Sequence, residues 1–225
     1  MDIQYSYFGY SLIFLLVWGI LFILRPDLRR RMLIFSIIIT PLGPFSEIWF
    51  LKDYWTRPTI TGYPISIEDA IFAFAIGGIA YGIYKVLFKM SVSDGQSPRS
   101  WLVIAIGIIV ILPLWLLTDL LHVNSIFSST ASFLLIAILT YILRPDLFKP
   151  SLVTGLLLLA LFFLIYKLMQ VIFPSAIESW CTGCNPTGLR ISGINIEELI
   201  WDFSWGLAGG TMVELITGEK LQKLA

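Results

Sequence analysis

Charge is scarce in this 225-residue chain: 13% of its residues are charged, against 57% hydrophobic. That balance lies outside the range of soluble globular proteins and excludes a water-soluble domain as the main unit. Neither sign is in surplus, since fifteen Lys and Arg face fifteen Asp and Glu. A nucleic-acid partner therefore has no electrostatic basis. Two cysteines are too few for a disulfide scaffold and, alone, too few for a zinc site. The chain also lacks a GxGxxG turn after a strand and a P-loop, so no nucleotide cofactor has a visible seat. Aromatics, by contrast, abound: sixteen Phe, nine Tyr and eight Trp are the opposite of a disordered composition and suit interfacial anchoring in a bilayer.

Apolar runs of about 20 residues, the length a helix needs to cross roughly 30 Å of hydrocarbon, recur along the whole chain. Seven can be counted, at about residues 5–25, 32–51, 67–88, 101–121, 126–143, 151–173 and 196–217. The fold expected is an all-α integral membrane protein, with almost nothing left for a soluble domain. The first run has no small-residue cleavage site and is read as a retained helix, not a signal peptide. Basic residues set the orientation. The loops after the first, third and fifth runs, with the tail, hold Arg25, Arg29, Arg30, Arg31, Lys85, Lys89, Arg99, Arg144, Lys149, Lys220 and Lys223. The other side holds Lys52, Arg57, Lys167 and Arg190. A multi-pass protein of the cell membrane, N-terminus outside and C-terminus cytoplasmic, is expected.

The chain repeats itself. Ile23-Leu24-Arg25-Pro26-Asp27-Leu28 returns letter for letter as Ile142-Leu143-Arg144-Pro145-Asp146-Leu147, and Ile65-Ser66-Ile67-Glu68-Asp69-Ala70-Ile71 is echoed by Ile194-Asn195-Ile196-Glu197-Glu198-Leu199-Ile200. The offset grows from 119 to 129 between the two echoes, which puts about ten extra residues in the second half, in the loop with Cys181 and Cys184. The expected organisation is a three-helix repeat over 1–95, a linking helix within 96–124 and a second repeat over 125–225. With one linking helix the repeats are parallel, and a site between them is expected. Pro41, Gly43, Pro44 and Pro113 interrupt the second and fourth runs; they either open an internal pocket or sit in tolerated bends. The repeated Arg-Pro-Asp reads most simply as a helix stop with cytoplasmic basic residues.

Carboxylates inside a membrane are costly unless paired, solvated or protonated, so each asks for a reason. They gather at one side: Glu47 near the outer end of the second run, Glu68 and Asp69 opening the third, Asp119 ending the fourth with His122 beside it, and Glu197, Glu198 and Asp202 opening the seventh. Ser66 with Asp69, and Asn195 with Glu198, have capping-box spacing, which gives Asp69 and Glu198 a structural reading. Glu68 and Glu197 are left over and occupy equivalent places in both halves. Helical spacing aligns Glu197 with Trp201 and Trp205, Glu198 with Asp202, and Glu68 with Phe72. An acid against aromatic faces favours a protonated carboxyl and a stabilised cation, although packing alone also places aromatics here. His122 reads as an interfacial hydrogen-bonding residue, with a proton relay to Asp119 as the alternative. Lys85 and Lys167 lie towards helix ends and are expected to snorkel. For Cys181 and Cys184 the reading is a loop-bracing disulfide, then a free thiol pair, then redox chemistry.

These residues resemble the integral-membrane lycopene cyclase domain of the heterodimeric bacterial and fused archaeal and fungal carotenoid cyclases. In that family each three-helix unit carries an acid near the end of its second helix, a downstream Trp, a Gly-containing loop, and a Pro-x-Glu-Glu/Asp motif followed by aromatics. The matching stretch is Phe45-Ser46-Glu47, Tyr54-Trp55, Gly62, Ser66-Ile67-Glu68-Asp69 and Phe72; the second half offers Asn195-Ile196-Glu197-Glu198 and Trp201. Tyr84-Lys85 and Met212-Val213-Glu214 stand where the family often has Tyr-Glu. The chain departs from the pattern in having Ser66 and Asn195 for the motif proline and Glu47 for an Asp.

The resemblance implies an isomerase of carotenoid biosynthesis that cyclises the ends of lycopene or a related linear polyene without net redox change and with no bound cofactor. Glu68 or Glu197 would donate a proton, and Asp69, Glu198 or Glu47 would remove one. Trp201, Trp205, Phe72 and Trp55, with Asp202, would line the substrate site and stabilise the cation. The expected partners are the polyene and the lipid bilayer, with self-association or a second chain left open. Two alternatives stand beside it: a small-molecule transporter of the same three-plus-one-plus-three plan, and a non-catalytic subunit of the same fold.

Overall fold

The computed structural model describes residues 3–93, 99–180 and 183–224. It is mostly helical, with only short two- and three-residue strands. Among the described residues six helical stretches are long and apolar enough to cross a membrane: Ile3–Leu24, Arg29–Asp53, Ile67–Leu87, Ser100–Leu120, Ser125–Leu143 and Pro145–Ile172. Multi-pass membrane placement is compatible with these.

Two of the six are interrupted where prolines remove backbone donors. After α1 (Ser6–Leu24), the second stretch divides into α2 (Arg29–Ile39) and α3 (Leu42–Asp53), with Pro41 at the break. Gly43 follows it for a steric reason: a Cβ there would lie 2.3 Å from the Asp69 carbonyl, so only glycine lets α3 approach the start of α4 (Ile67–Leu87). The fourth stretch runs as α5 (Ser100–Pro113) and, past Pro113, loosens into a π-helical turn over Leu114–Leu120. Next come α6 (Ser125–Leu143), α7 (Phe148–Ile172), which follows a single turn at Pro145–Leu147, and the short α8 (Ala176–Ser179). The last apolar run divides into α9 (Ile196–Gly209) and α10 (Met212–Thr217). Each piece alone is shorter than the roughly 20 residues of a crossing.

Of the six stretches the most buried is α4: 72% of its most apolar window is buried, against 22% in Ser100–Leu120. It packs against α1, α2, α3, α7 and α9, while α9 packs against α6 and α7. The α7–α9 crossing depends on small residues, because a Cβ on Gly206 would stand 2.6 Å from the Cα of Gly155. The core therefore lies around α4 and α9, the two helices that begin with paired acids.

At the other end of the bundle, two arginines make corresponding sets of bonds. Arg25 grips Asp27 (2.6 Å) and donates to the Lys85 carbonyl (2.7 Å) and the Met90 carbonyl (2.7 Å). Arg144 grips Asp146 (2.6 Å) and donates to the carbonyls of Glu214 (3.0 Å) and Glu219 (3.0 Å). The Arg-Pro-Asp sequence is thus more than a stop, because it satisfies carbonyls at the far end of another helix. Strand β1 (Met90–Val92) pairs antiparallel with β4 (Leu221–Lys223) and ties these ends together. A second two-stranded ribbon, β2 (Arg190–Ile191) with β3 (Ile194–Asn195), leads into α9.

Lys85 does not snorkel. It is fully buried, forms a 3.0 Å ion pair with buried Glu214, lies 3.8 Å from the Tyr81 ring centroid and donates to the Tyr81 carbonyl at 2.6 Å. Its side chain turns inward, and a buried carboxylate compensates its charge. Lys167 is partly buried, held by Gln170 (2.5 Å) and the Ser192 carbonyl (3.1 Å).

Candidate active site

Two acids of the first half, Glu47 and Asp69, meet Arg57, a cation of the loop between α3 and α4. Ser66 caps α4 and Asp69 completes the capping box, accepting the Ser66 amide at 2.8 Å. Asp69 also accepts from the Tyr7 hydroxyl (2.9 Å) and is ion-paired with Arg57. Arg57 pairs in turn with Glu47 (3.0 Å) and lies 4.1 Å from the ring centroid of Tyr7 and 4.3 Å from that of Trp55. Burial alone would lower the Arg57 pKa, but Tyr7, Glu47 and Asp69 lift it above the ordinary arginine value. The Trp55 indole N–H reaches Glu47 at 3.3 Å. The carboxylates of Glu47 and Asp69 are thus both committed to one guanidinium. Glu68 faces its own loop, with Oε1 accepting the Ile60 amide at 2.7 Å.

The second half begins alike and then differs. Glu197 Oε1 anchors the loop before it by accepting the Thr187 amide (2.7 Å) and hydroxyl (2.6 Å). Glu68 and Glu197, the two acids that capping left over, therefore both hold a loop against a helix start. The expected second capping box does not form. Asn195 stands at the N-cap of α9 without a side-chain cap bond, because Arg190 Nε donates to its Oδ1 at 3.0 Å. Glu198, released from that role, accepts two phenol O–H bonds, from Tyr54 (2.7 Å) and Tyr166 (2.9 Å). Burial first, and then the Glu198 charge, push the Tyr54 hydroxyl far above the ordinary tyrosine range, so it stays a donor. One turn further, Asp202 is fully buried and neither carboxylate oxygen has a partner among the described residues.

Aromatic rings enclose Glu198. Tyr10 stacks on Tyr166 (5.6 Å between centroids) and on Phe72 (5.5 Å), with the edge of Trp180 at 5.5 Å. Trp201 faces Phe133 (5.5 Å) and Phe162 (6.4 Å), and its N–H bonds Ser129. Trp205 packs on Phe133 (5.2 Å) and donates to the Ile76 carbonyl at 3.4 Å. Beside Glu198, between residues of both halves, lies a cavity of about 10 Å³ bordered by Tyr7, Tyr10, Trp55, Tyr166 and Trp180. It holds about one water molecule, so a larger guest requires these rings to part.

Of the predicted residues, Glu47, Trp55 and Asp69 gather around Arg57, whereas Glu198, Asp202, Phe72, Trp201 and Trp205 belong to the buried aromatic region. Asp119 stands apart, held by Trp49 (3.0 Å) and Lys52 (2.8 Å), with exposed His122 nearby in a left-handed conformation (φ 54°). Cys184 is disulfide-bonded; Cys181 lies outside the described residues. Among those residues no cluster of His, Cys, Asp and Glu could hold a metal ion. Sequence reasoning missed Arg57, Tyr10, Tyr54 and Tyr166. The only signal was indirect: several buried acids with no nearby cation in sequence require donors from elsewhere.

Residues 124–216 match the family model described as lycopene cyclase. The matched segment contains α6, α7 and α9, and with them Glu197, Glu198 and Asp202. No curated protein and no solved structure gives a match.

Proposed function

We propose, from the lycopene cyclase match over residues 124–216 and the membership of the membrane lycopene cyclase domain family that it supports, that this chain closes rings at the ends of a linear polyene. The observation that carries the reading is Glu198, a buried carboxyl held by two tyrosine hydroxyls and walled by aromatic rings, inside the matched segment. The reaction is an isomerisation. A carboxyl protonates the terminal double bond, the next double bond attacks the tertiary cation to form a six-membered ring, and a carboxylate removes a ring proton. Each proton taken up is released, so no redox partner enters the scheme. The rings of Tyr10, Phe72 and Trp201 offer their faces to the cation and keep out water that would trap it as an alcohol.

In this reading α9 and α10 together make a seventh crossing, and the halves over about residues 1–95 and 125–225 are parallel repeats joined by the helix between them. The corresponding bonds of Arg25 and Arg144 support the repeat. The basic residues at the Arg25 and Arg144 end support a cytoplasmic C-terminus.

The test is chromatography of pigments from lycopene-accumulating bacteria that express the chain. A new monocyclic or bicyclic carotene is expected, and the wild-type product is lost or replaced by another when Glu198 is changed to Gln. Unchanged lycopene despite well-expressed, membrane-inserted protein overturns the reading.

A further inference from the structure

We propose that Asp202 is the proton donor of this reaction and Glu198 its base, and that the chain has one catalytic centre, in its second half. The inference rests on the cyclase reading above. Asp202 and Glu198 stand one turn apart on α9 and share a stripe. Their surroundings are opposite. Glu198 accepts two hydroxyl bonds, which stabilise a carboxylate. Asp202 is 0% exposed with neither oxygen bonded among the described residues, and a carboxyl so placed beside a carboxylate is carried as the neutral acid. Facing the pair are Tyr10 from α1, Tyr166 from α7 and Tyr54 from the loop after α3, with Glu197 and Arg57 also near Glu198.

The first half has no such pair. At the 129-residue offset, Glu198 corresponds to Asp69, which is tied to Arg57, Tyr7 and its own capping box. Asp202 corresponds to Ala73, which has no carboxyl. Glu68 and Glu197 each commit one oxygen to a loop amide.

In the step itself the Asp202 O–H bond breaks as a C–H bond forms at the terminal carbon, leaving a tertiary cation. The neighbouring π pair forms the ring C–C bond. Glu198 then takes a proton from the carbon beside the new cation, and that C–H pair becomes the ring double bond. One proton has moved from Asp202 to Glu198, and its return across one helical turn resets the site. With a single centre the two polyene ends are cyclised in turn, so monocyclic product precedes bicyclic product.

The experiment compares wild type, Asp202→Asn, Asp202→Glu and Glu198→Gln in membranes supplied with lycopene. Product is read by chromatography, folding by thermal midpoint, and the neutral acid by its infrared carbonyl band. Asp202→Asn is expected to lose 10²- to 10⁴-fold of the rate and the carbonyl band while staying folded, with Asp202→Glu restoring part of both. Glu198→Gln is expected to shift the products towards other ring isomers or alcohols. Asp202→Asn within tenfold of wild type, or an unchanged carbonyl band, overturns the donor assignment and leaves the cyclase reading standing. A wild type that closes no ring overturns both.

Discussion

Replacing Lys85 by Met tests whether α4 and α10 are joined by a buried charge pair. The ammonium is 3.0 Å from Glu214, both side chains are fully buried, and Lys85 also bonds the Tyr81 carbonyl. At an effective dielectric of 20 such a pair attracts by about 5 kcal/mol. Removing one partner leaves an uncompensated buried charge, which costs roughly 3–5 kcal/mol. The thermal midpoint in detergent, followed by tryptophan fluorescence, should fall by about 6–20 °C, taking roughly 2–4 °C per kcal/mol at this chain size. Lys85→Met with Glu214→Leu should regain most of the loss, since a well-packed apolar pair replaces an ion pair at little cost. A Lys85→Met midpoint within 2 °C of wild type, on the order of 1 kcal/mol or less, would mean that the lysine reaches the boundary after all and that the burial argument fails.

Arg57→Met should destabilise by a similar 3–5 kcal/mol or so, because it strands Glu47 and Asp69 together; adding Glu47→Gln and Asp69→Asn should restore the midpoint, and no restoration would refute the charge explanation. Gly43→Ala should lower the midpoint through a clash with the Asp69 carbonyl worth about 1–3 kcal/mol, and an unchanged midpoint would refute the close approach of α3 to α4. Arg144→Ala should loosen the β1–β4 end, seen as faster amide exchange at Leu221–Lys223, whereas unchanged exchange would deny the arginine its role at the Glu219 carbonyl.

The spans were legible because a helix in lipid must satisfy its own backbone, so length and apolarity alone report it. Where Pro41 and Pro113 intervene the apolar length stayed readable while the path did not, since a break depends on what packs beside it; of the seven runs expected, six appear as stretches long enough to cross, and the last divides into α9 and α10. The repeated Arg-Pro-Asp was equally visible, but its partners were not, because the carbonyls of Lys85 and Glu214 lie 60 and 70 residues away. The acids show the same limit most sharply. Ser66-x-x-Asp69 and Asn195-x-x-Glu198 have one spacing and, on sequence, one meaning. Arg190 decides between them by occupying Asn195, and Arg57 decides again by occupying Asp69 and Glu47. One cation comes from a loop and the other from a two-residue strand, and no periodicity reports the course of either. An acid at a helix start is structural when something claims it and free for chemistry when nothing does. The aromatic region thus differs between the halves because two arginines reach different partners: Glu68 and Glu197 hold loops, Glu47 and Asp69 hold Arg57, and what remains in the aromatic region is Glu198 on two phenols with Asp202, which nothing claims among the described residues.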